Sequence, residues 1–378
     1  MILYLSAGTS YSIYDELFNK GYIKGGYQQQ KFNDNIVRGL SNFDKVVALS
    51  ALPCSNCRVD EIKKEENGVI YHSIKSVKGK LNKIVKITEL IKVGKKIIKK
   101  YKIDCIICDA ISSAPSMASV KLGKKYNLPT YAIVTDVPEK MVGGEMGFTG
   151  KITAKLMKKY DGYILLTEQM NEIVNPNNKP FIVMEGACAN APKLTEKGSV
   201  KNIMYTGSLW KNDAGIEYFT EGFIEANLDG VELHYYGTGE AVSYLQEVSK
   251  TYPSVKYMGC VTNEQIVKEQ TKATLLVNPR PSNEEFCKYS FPSKTFEYMV
   301  SGTPVLMTKL PGVQKEYFDY VFTIDNETSD GVKEKLQEIF SLSFDELIEK
   351  GLTARKFVME NKNYIAQSEK IFKFIKSN

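Results

Sequence analysis

Apolar and polar positions alternate along this chain in blocks. A short run of buried-type residues is followed by a polar or glycine-bearing turn, and then by apolar residues at helical spacing. "MILYLS" (1–6), "KVVALS" (45–50), "IDCIICDA" (103–110), "PTYAIVTD" (129–136) and "GYILLTE" (162–168) read as buried strands, and "SMASVKLGKKYN" (116–127) as a helix between two of them. The alternation predicts a parallel sheet covered by helices on both faces. The pattern then restarts. "KPFIVMEG" (179–186) leads into a polar, proline-bearing stretch at 187–199. After it come "KNIMYTGS" (201–208), "VELHYYGTG" (231–239), "VKYMGCV" (255–261), "ATLLVNPR" (273–280), "TPVLM" (303–307) and "YVFTID" (320–325). The expectation is an α/β protein of two doubly wound domains, 1–188 and 189–359, facing across a cleft, with ligand sites at the carboxyl ends of the strands. The remaining stretch to residue 378 is helical in pattern.

Totals change this picture little. A chain of 378 residues with 43% hydrophobic and 25% charged residues fits two globular domains. Its apolar runs fall far short of the roughly 20 residues of a membrane span. "MILYLSAGTSYS" lacks the basic start of a signal peptide and reads as a first strand, so the cytoplasm is expected. Seven cysteines, an odd number, suit a reducing compartment. Cys105 and Cys108 lie three apart on a strand and point to opposite faces. Cys54 and Cys57 lie in a loop, but a tetrahedral zinc site needs four ligands and the only histidines are His72 and His234. No metal site is expected.

Charge is more informative. Residues 1–188 hold 28 Lys and Arg against 18 Asp and Glu, and residues 189–378 hold 22 against 26. The excess gathers at 78–102, where Leu81, Ile84, Ile87, Ile91 and Ile98 recur at helical spacing among lysines. Two readings stand: an amphipathic helix packed on its own domain with a solvated lysine face, or a face drawn to an anionic membrane surface. Nucleic acid is not expected, because aromatics are not interleaved with the lysines and no binding motif is present.

The second half carries the candidate chemistry in loops after strands. In "MYTGSLWKNDAGIEYF", Gly207 and Ser208 end a strand and Lys211 precedes a helix. Backbone N–H groups, a helix start and a lysine together suit an anion. Gly237 and Gly239 repeat the design, Cys260 and Val261 follow a third strand, and Arg280 a fourth, with Glu284 and Glu285 just beyond. In "YSFPSKTFEYMVSGTPVLM" (289–307), Ser293 is the expected N-cap, Gly302 the C′ residue and Pro304 the stop. Lys294 and Glu297 share one face of that helix. A surface ion pair would place them in solvent. A nucleotide site would use the lysine for phosphate and the carboxylate for the vicinal hydroxyls of ribose.

"FPSKTFEYMVSGTPVL", with "YTGSLWKNDAGI", "YYGTG" and "NPRPS" before it in order, resembles the donor segment of retaining GT-B glycosyltransferases. It is closest in kind to the family 4 (group 1) enzymes of bacteria that build capsules and exopolysaccharides. More loosely, "KGGYQQQKFNDNIVRGL" (24–40) resembles the glycine loop and helix of their first domain, and "IVTDVP" (133–138) the loop facing the acceptor. The resemblance implies two Rossmann-like domains in the GT-B arrangement, with the helix at 360–378 packing back on the first. It implies metal-independent hexosyl transfer from a UDP- or GDP-sugar, without a cofactor, to a hydroxyl of a glycan or lipid-diphosphate-linked acceptor at the inner membrane face. Glu297 then holds the ribose and Lys211 the diphosphate. Gly25 and Gly26 approach the donor phosphates, and Asp136 lies near the transferred sugar. Gly207, Gly237 and Val261 offer backbone contacts, with Ser208, Tyr236, Gly239, Cys260, Arg280, Lys294 and Thr295 beside the donor. The chain departs from the family pattern at Ser208, where an arginine is usual. It departs again at the first motif glutamate, for which Glu285 is the nearest candidate. These departures leave open an inactive partner subunit, a nucleotide-sugar binding protein or an epimerase of the same fold.

Overall fold

The computed structural model describes every residue except 24–26, 55–56, 80, 141–146 and 211–213, and the side chain of Tyr27. The chain forms two compact units, residues 1–189 with 363–378, and residues 190–362.

The first unit is an eight-stranded sheet of β1 (Ile2–Ser6), β2 (Val46–Ser50), β3 (Ile62–Glu66), β4 (Val69–Ser73), β5 (Cys105–Asp109), β6 (Thr130–Val134), β7 (Gly162–Leu165) and β8 (Phe181–Val183). Their order is β3-β4-β2-β1-β5-β6-β7-β8, all parallel but β3. Its helices are α1 (Tyr11–Asn19), α2 (Tyr27–Leu40), α3 (Asn82–Lys100), α4 (Ser113–Tyr126), α5 (Phe148–Met157) and α6 (Met170–Val174). β1, β2 and β5 are buried at every position. This is why they read as unbroken apolar runs rather than alternating ones. The hairpin of β3 and β4 does not stand out by periodicity, since β3 is mostly charged. Its turn carries the signal instead: Asn67 and Gly68 both have positive φ, +51° and +75°.

In α3 the seated stripe is Leu90, Val93, Gly94 and Ile97. That differs from the expected set, of which Leu81 and Ile84 are exposed. The reason is contact with α4: a Cβ on Gly94 would stand 2.5 Å from Leu122 Cδ1, so the glycine face is the one that fits.

The second unit is a parallel sheet of β9 (Lys201–Thr206), β10 (Val231–Tyr236), β11 (Val255–Gly259), β12 (Leu275–Asn278), β13 (Val305–Thr308) and β14 (Phe322–Ile324). Its helices are α7 (Ile216–Ala226), α8 (Val242–Thr251), α9 (Asn263–Lys272), α10 (Ser293–Val300), α11 (Ser329–Ser341) and α12 (Phe344–Asn361). The order β11-β10-β9-β12-β13-β14 is the Rossmann order, with its topological switch between β9 and β12. The first unit has the equivalent switch between β1 and β5.

The last helix, α13 (Tyr364–Ser377), belongs to the first unit. Ile371, Phe374 and Ile375 enter its core, and Phe374 meets Tyr131 edge-on at 5.6 Å. Gly39 of α2 admits it, for a Cβ there would fall 2.1 Å from Ser368 Oγ.

Candidate functional site

The switch point of the second unit brings together the ends of β9 and β12 and the start of α10. Tyr298 fixes that helix. Its hydroxyl accepts from the Thr206 N–H at 2.9 Å and lies 3.1 Å from Thr206 Oγ1, both groups being buried. Gln270 Nε2 donates to the same Oγ1 at 3.1 Å. The first turn of α10 thereby lies against the loop after β9.

Lys294 uses this placement. Its Nζ donates to Tyr205 Oη at 2.6 Å and sits 4.0 Å from the centre of that ring, while Tyr205 Oη donates onward to the Ser208 carbonyl at 2.7 Å. The surface-pair reading of Lys294 therefore fails. The side chain is half-buried, but its charged end is enclosed. Burial first, and then the nearby Arg280 guanidinium, lower its pKa to about 7, with Glu297 acting in the opposite sense. A lysine whose charge is disfavoured by burial and by a nearby guanidinium makes a site that gains from an anion.

Glycines make room for this. A Cβ on Gly207, at φ +131°, would stand 2.4 Å from Lys294 Cε. A Cβ on Gly237, at φ +140°, would fall 1.8 Å from the Gly207 carbonyl oxygen. One expectation changes here. The Gly207 N–H donates to Tyr236 O and the Gly237 N–H to Gly259 O, both at 2.9 Å, so these amides are committed to the sheet. What the two glycines supply is close approach. Ser293 also differs from its expected role. Pro292 is the N-cap and no side chain caps the helix, because Ser293 already lies in the first turn. An uncapped start leaves the dipole end of α10 open to a negative group.

Thr295 and Asn278 add polar atoms at the same end of the sheet. Thr295 Oγ1 and Asn278 Nδ2 are buried without hydrogen-bond partners among the described residues. Tyr236 is buried at the end of β10, and Gly239 packs on Leu209. Ser208, Cys260 and Val261 are exposed in the loops, and Arg280 lies over Phe286 at 5.4 Å. Glu285 is exposed at the start of a 3-10 turn, Glu285–Tyr289. Lys211, Gly25 and Gly26 lie outside the described residues.

The first unit holds a second polar cluster at its own switch point, which sequence patterning does not single out. Asp109 ends β5, 1% exposed, and its Oδ2 accepts from Gln29 Nε2 and Asn33 Nδ2 of α2, each at 2.9 Å. Burial raises its pKa, the hydrogen bonds from Asn33, Gln29 and the Ile111 amide oppose this, and the charge of Asp136 adds to the rise. Tyr4 Oη donates to Asn33 Oδ1 at 2.7 Å, and the Thr9 N–H to Gln30 Oε1 at 2.8 Å. α2 is thus anchored by its polar face to β5 and to the loop after β1. Asp136 keeps surface exposed, yet the protein around its carboxyl raises its pKa by burial, offset in part by the Thr135 hydroxyl. The available signal was the spacing of Gln29, Gln30 and Asn33, one helical turn of amides facing a strand end. Among the described residues no three His, Cys, Asp or Glu side chains group as metal ligands.

Residues 200–341 match the family model described as glycosyl transferases group 1. No curated protein matches the sequence. The chain is similar in structure to sucrose-phosphate synthase from Thermosynechococcus elongatus, with a TM-score of 0.66 and 13% identity over 100% of this chain and 98% of that one. It is similar to HepE from Anabaena, determined with UDP and glucose, at 0.59 and 11% over 100% and 99%. A third structure, described as trehalose-6-phosphate from E. coli bound with UDP-2-fluoro glucose, matches at 0.64 and 10% over 98% of both chains. The chain has the GT-B fold, and its residues 200–341 are similar to the group 1 glycosyl transferases.

Proposed function

We propose that this protein transfers a sugar, with retention of anomeric configuration, from a UDP- or GDP-sugar to a hydroxyl of a glycan or lipid-diphosphate-linked acceptor in surface-polysaccharide synthesis. The observation that carries the reading is the enclosed Lys294 ammonium, held on Tyr205 at the β9–β12 switch point one helical turn from Glu297, inside the segment that matches the family model. The HepE structure holding UDP and glucose supports a nucleotide-sugar partner for the same fold.

The chemistry is a problem of charge. The bond between the sugar C1 and the diphosphate oxygen breaks, and the diphosphate leaves with added negative charge. Lys294, Arg280, Lys211 and the uncapped start of α10 neutralise it, a preorganised arrangement suited to that role. Glu297 accepts hydrogen bonds from the ribose diol. Thr295 and the loop residues Ser208, Tyr236, Gly239, Cys260 and Val261 border the donor, and the family resemblance assigns its phosphates to Gly25 and Gly26 as well. The acceptor oxygen attacks C1 on the face the diphosphate leaves, and its proton passes to the departing phosphate. Asp136 stands by the sugar or acceptor, and Glu285 serves as the first motif acid. The protein needs no cofactor, and it works in the cytoplasm.

Turnover of UDP- and GDP-sugars with candidate acceptors tests the reading. Lys294→Ala and Glu297→Ala should each lower kcat/KM by about 100-fold or more while the fold is kept. Consumption of a nucleotide sugar without acceptor would mark an epimerase, and unchanged turnover in both variants would remove these residues from the site.

A further inference from the structure

Three large apolar side chains of the first unit stand in water: Leu81 is 69% exposed, Ile84 60% and Phe148 81%. Leu81 and Ile84 lie at the start of α3, and Phe148 opens α5. Lys83 Nζ reaches Thr149 Oγ1 at 3.3 Å, so the two helix starts are neighbours. Neither helix needs these residues for its seat. α3 packs through Leu90, Val93, Gly94 and Ile97, and α5 through Thr153, Ala154, Leu156 and Met157. Single exposed apolar residues are ordinary; three at adjoining helix starts form a patch.

The charge around the patch has one sign. α3 carries seven lysines and one acid, Glu89, and α5 carries Lys151 and Lys155 with no acid. Glu89 is spent between Lys75 at 3.5 Å and Lys92 at 3.7 Å. Lys86 turns inward to the carbonyls of Leu52 and Cys54. Exposure along α3 then follows one stripe, Ile84, Thr88, Lys92, Lys96 and Lys99, apolar at its start and cationic beyond.

We propose that this face docks on an anionic lipid bilayer, with Leu81, Ile84 and Phe148 inserted at the headgroup boundary and the lysine stripe over lipid phosphates. Charge complementarity selects the partner. Apolar tips flanked by exposed cations gain both from hydrocarbon and from anionic headgroups. The inference narrows the membrane-facing region from the whole of 78–102 to one end of it and adds α5. It stands independently of sugar transfer, since it requires no substrate.

The test is co-sedimentation of the full chain with vesicles of phosphatidylcholine alone, and of equal parts phosphatidylglycerol and phosphatidylcholine, at low and high salt. Binding should require phosphatidylglycerol and weaken with salt. Ile84→Ser with Phe148→Ser should lower partitioning roughly tenfold. Lys96→Glu with Lys99→Glu should lower it by about fivefold or more per lysine removed. All four positions are exposed, so unchanged thermal melting shows that the variants remain folded. Three results would overturn the proposal: no sedimentation with anionic vesicles at low salt, binding retained by both double variants, or full competition by soluble glycerol phosphate, which would assign the lysines to a free phosphate instead.

Discussion

Lys294 is set to change its charge when a ligand arrives. Its ammonium donates to Tyr205, and burial with the Arg280 charge holds its pKa near 7, against the opposing charge of Glu297. A bound diphosphate would raise that pKa, so binding takes up a proton above pH 7. Affinity should then be greatest below pH 7 and fall as pH rises, by up to about tenfold per unit until the bound-state pKa is reached. A nucleotide sugar is the right probe, because its diphosphate keeps a fixed charge through this range. Binding measured between about pH 6 and pH 9 should show the slope in the wild type. In Lys294→Met the affinity should be weaker at low pH and flat above it. A wild-type affinity that ignores pH would place the anion elsewhere.

At the scale of elements, the site depends on one hydroxyl that joins a helix to a strand end. Tyr298→Phe would leave the buried Thr206 N–H without its acceptor. The expected cost is about 1–3 kcal/mol by denaturant unfolding, with weaker nucleotide binding because α10 is no longer pinned. A variant as stable as wild type would show that Thr206 finds another partner. This contact also marks where sequence reading stops. β1, β2 and β5 were legible because strands buried on both faces form continuous apolar runs. α10 was legible because its stop residues and its Lys294 and Glu297 lie within one short string. Tyr298 and Thr206 are 92 positions apart, and Asn33 and Asp109 are 76 apart. No local pattern signals such pairs. The same limit explains α3, whose apolar spacing was visible but whose seated face was decided by the fit of Gly94 to Leu122.

At the scale of the whole molecule, each unit carries a polar cluster at its own topological switch, the cationic one at β9 and β12 and the amide–carboxylate one at β1 and β5. The net charge divides the same way, with the lysine excess in residues 1–188 and an acidic balance in residues 189–378. Against that acidic background the Lys294–Arg280 pair is a local exception, which is what a donor-phosphate site in this unit requires. The most direct measurement is a calorimetric titration of the wild type and of Glu297→Ala with UDP and with GDP. The account predicts that one of the two nucleotides binds the wild type at a single site, and that Glu297→Ala weakens it roughly tenfold or more through loss of charge-assisted hydrogen bonds to the ribose. Binding of neither nucleotide, or equal affinity in the variant, would contradict it.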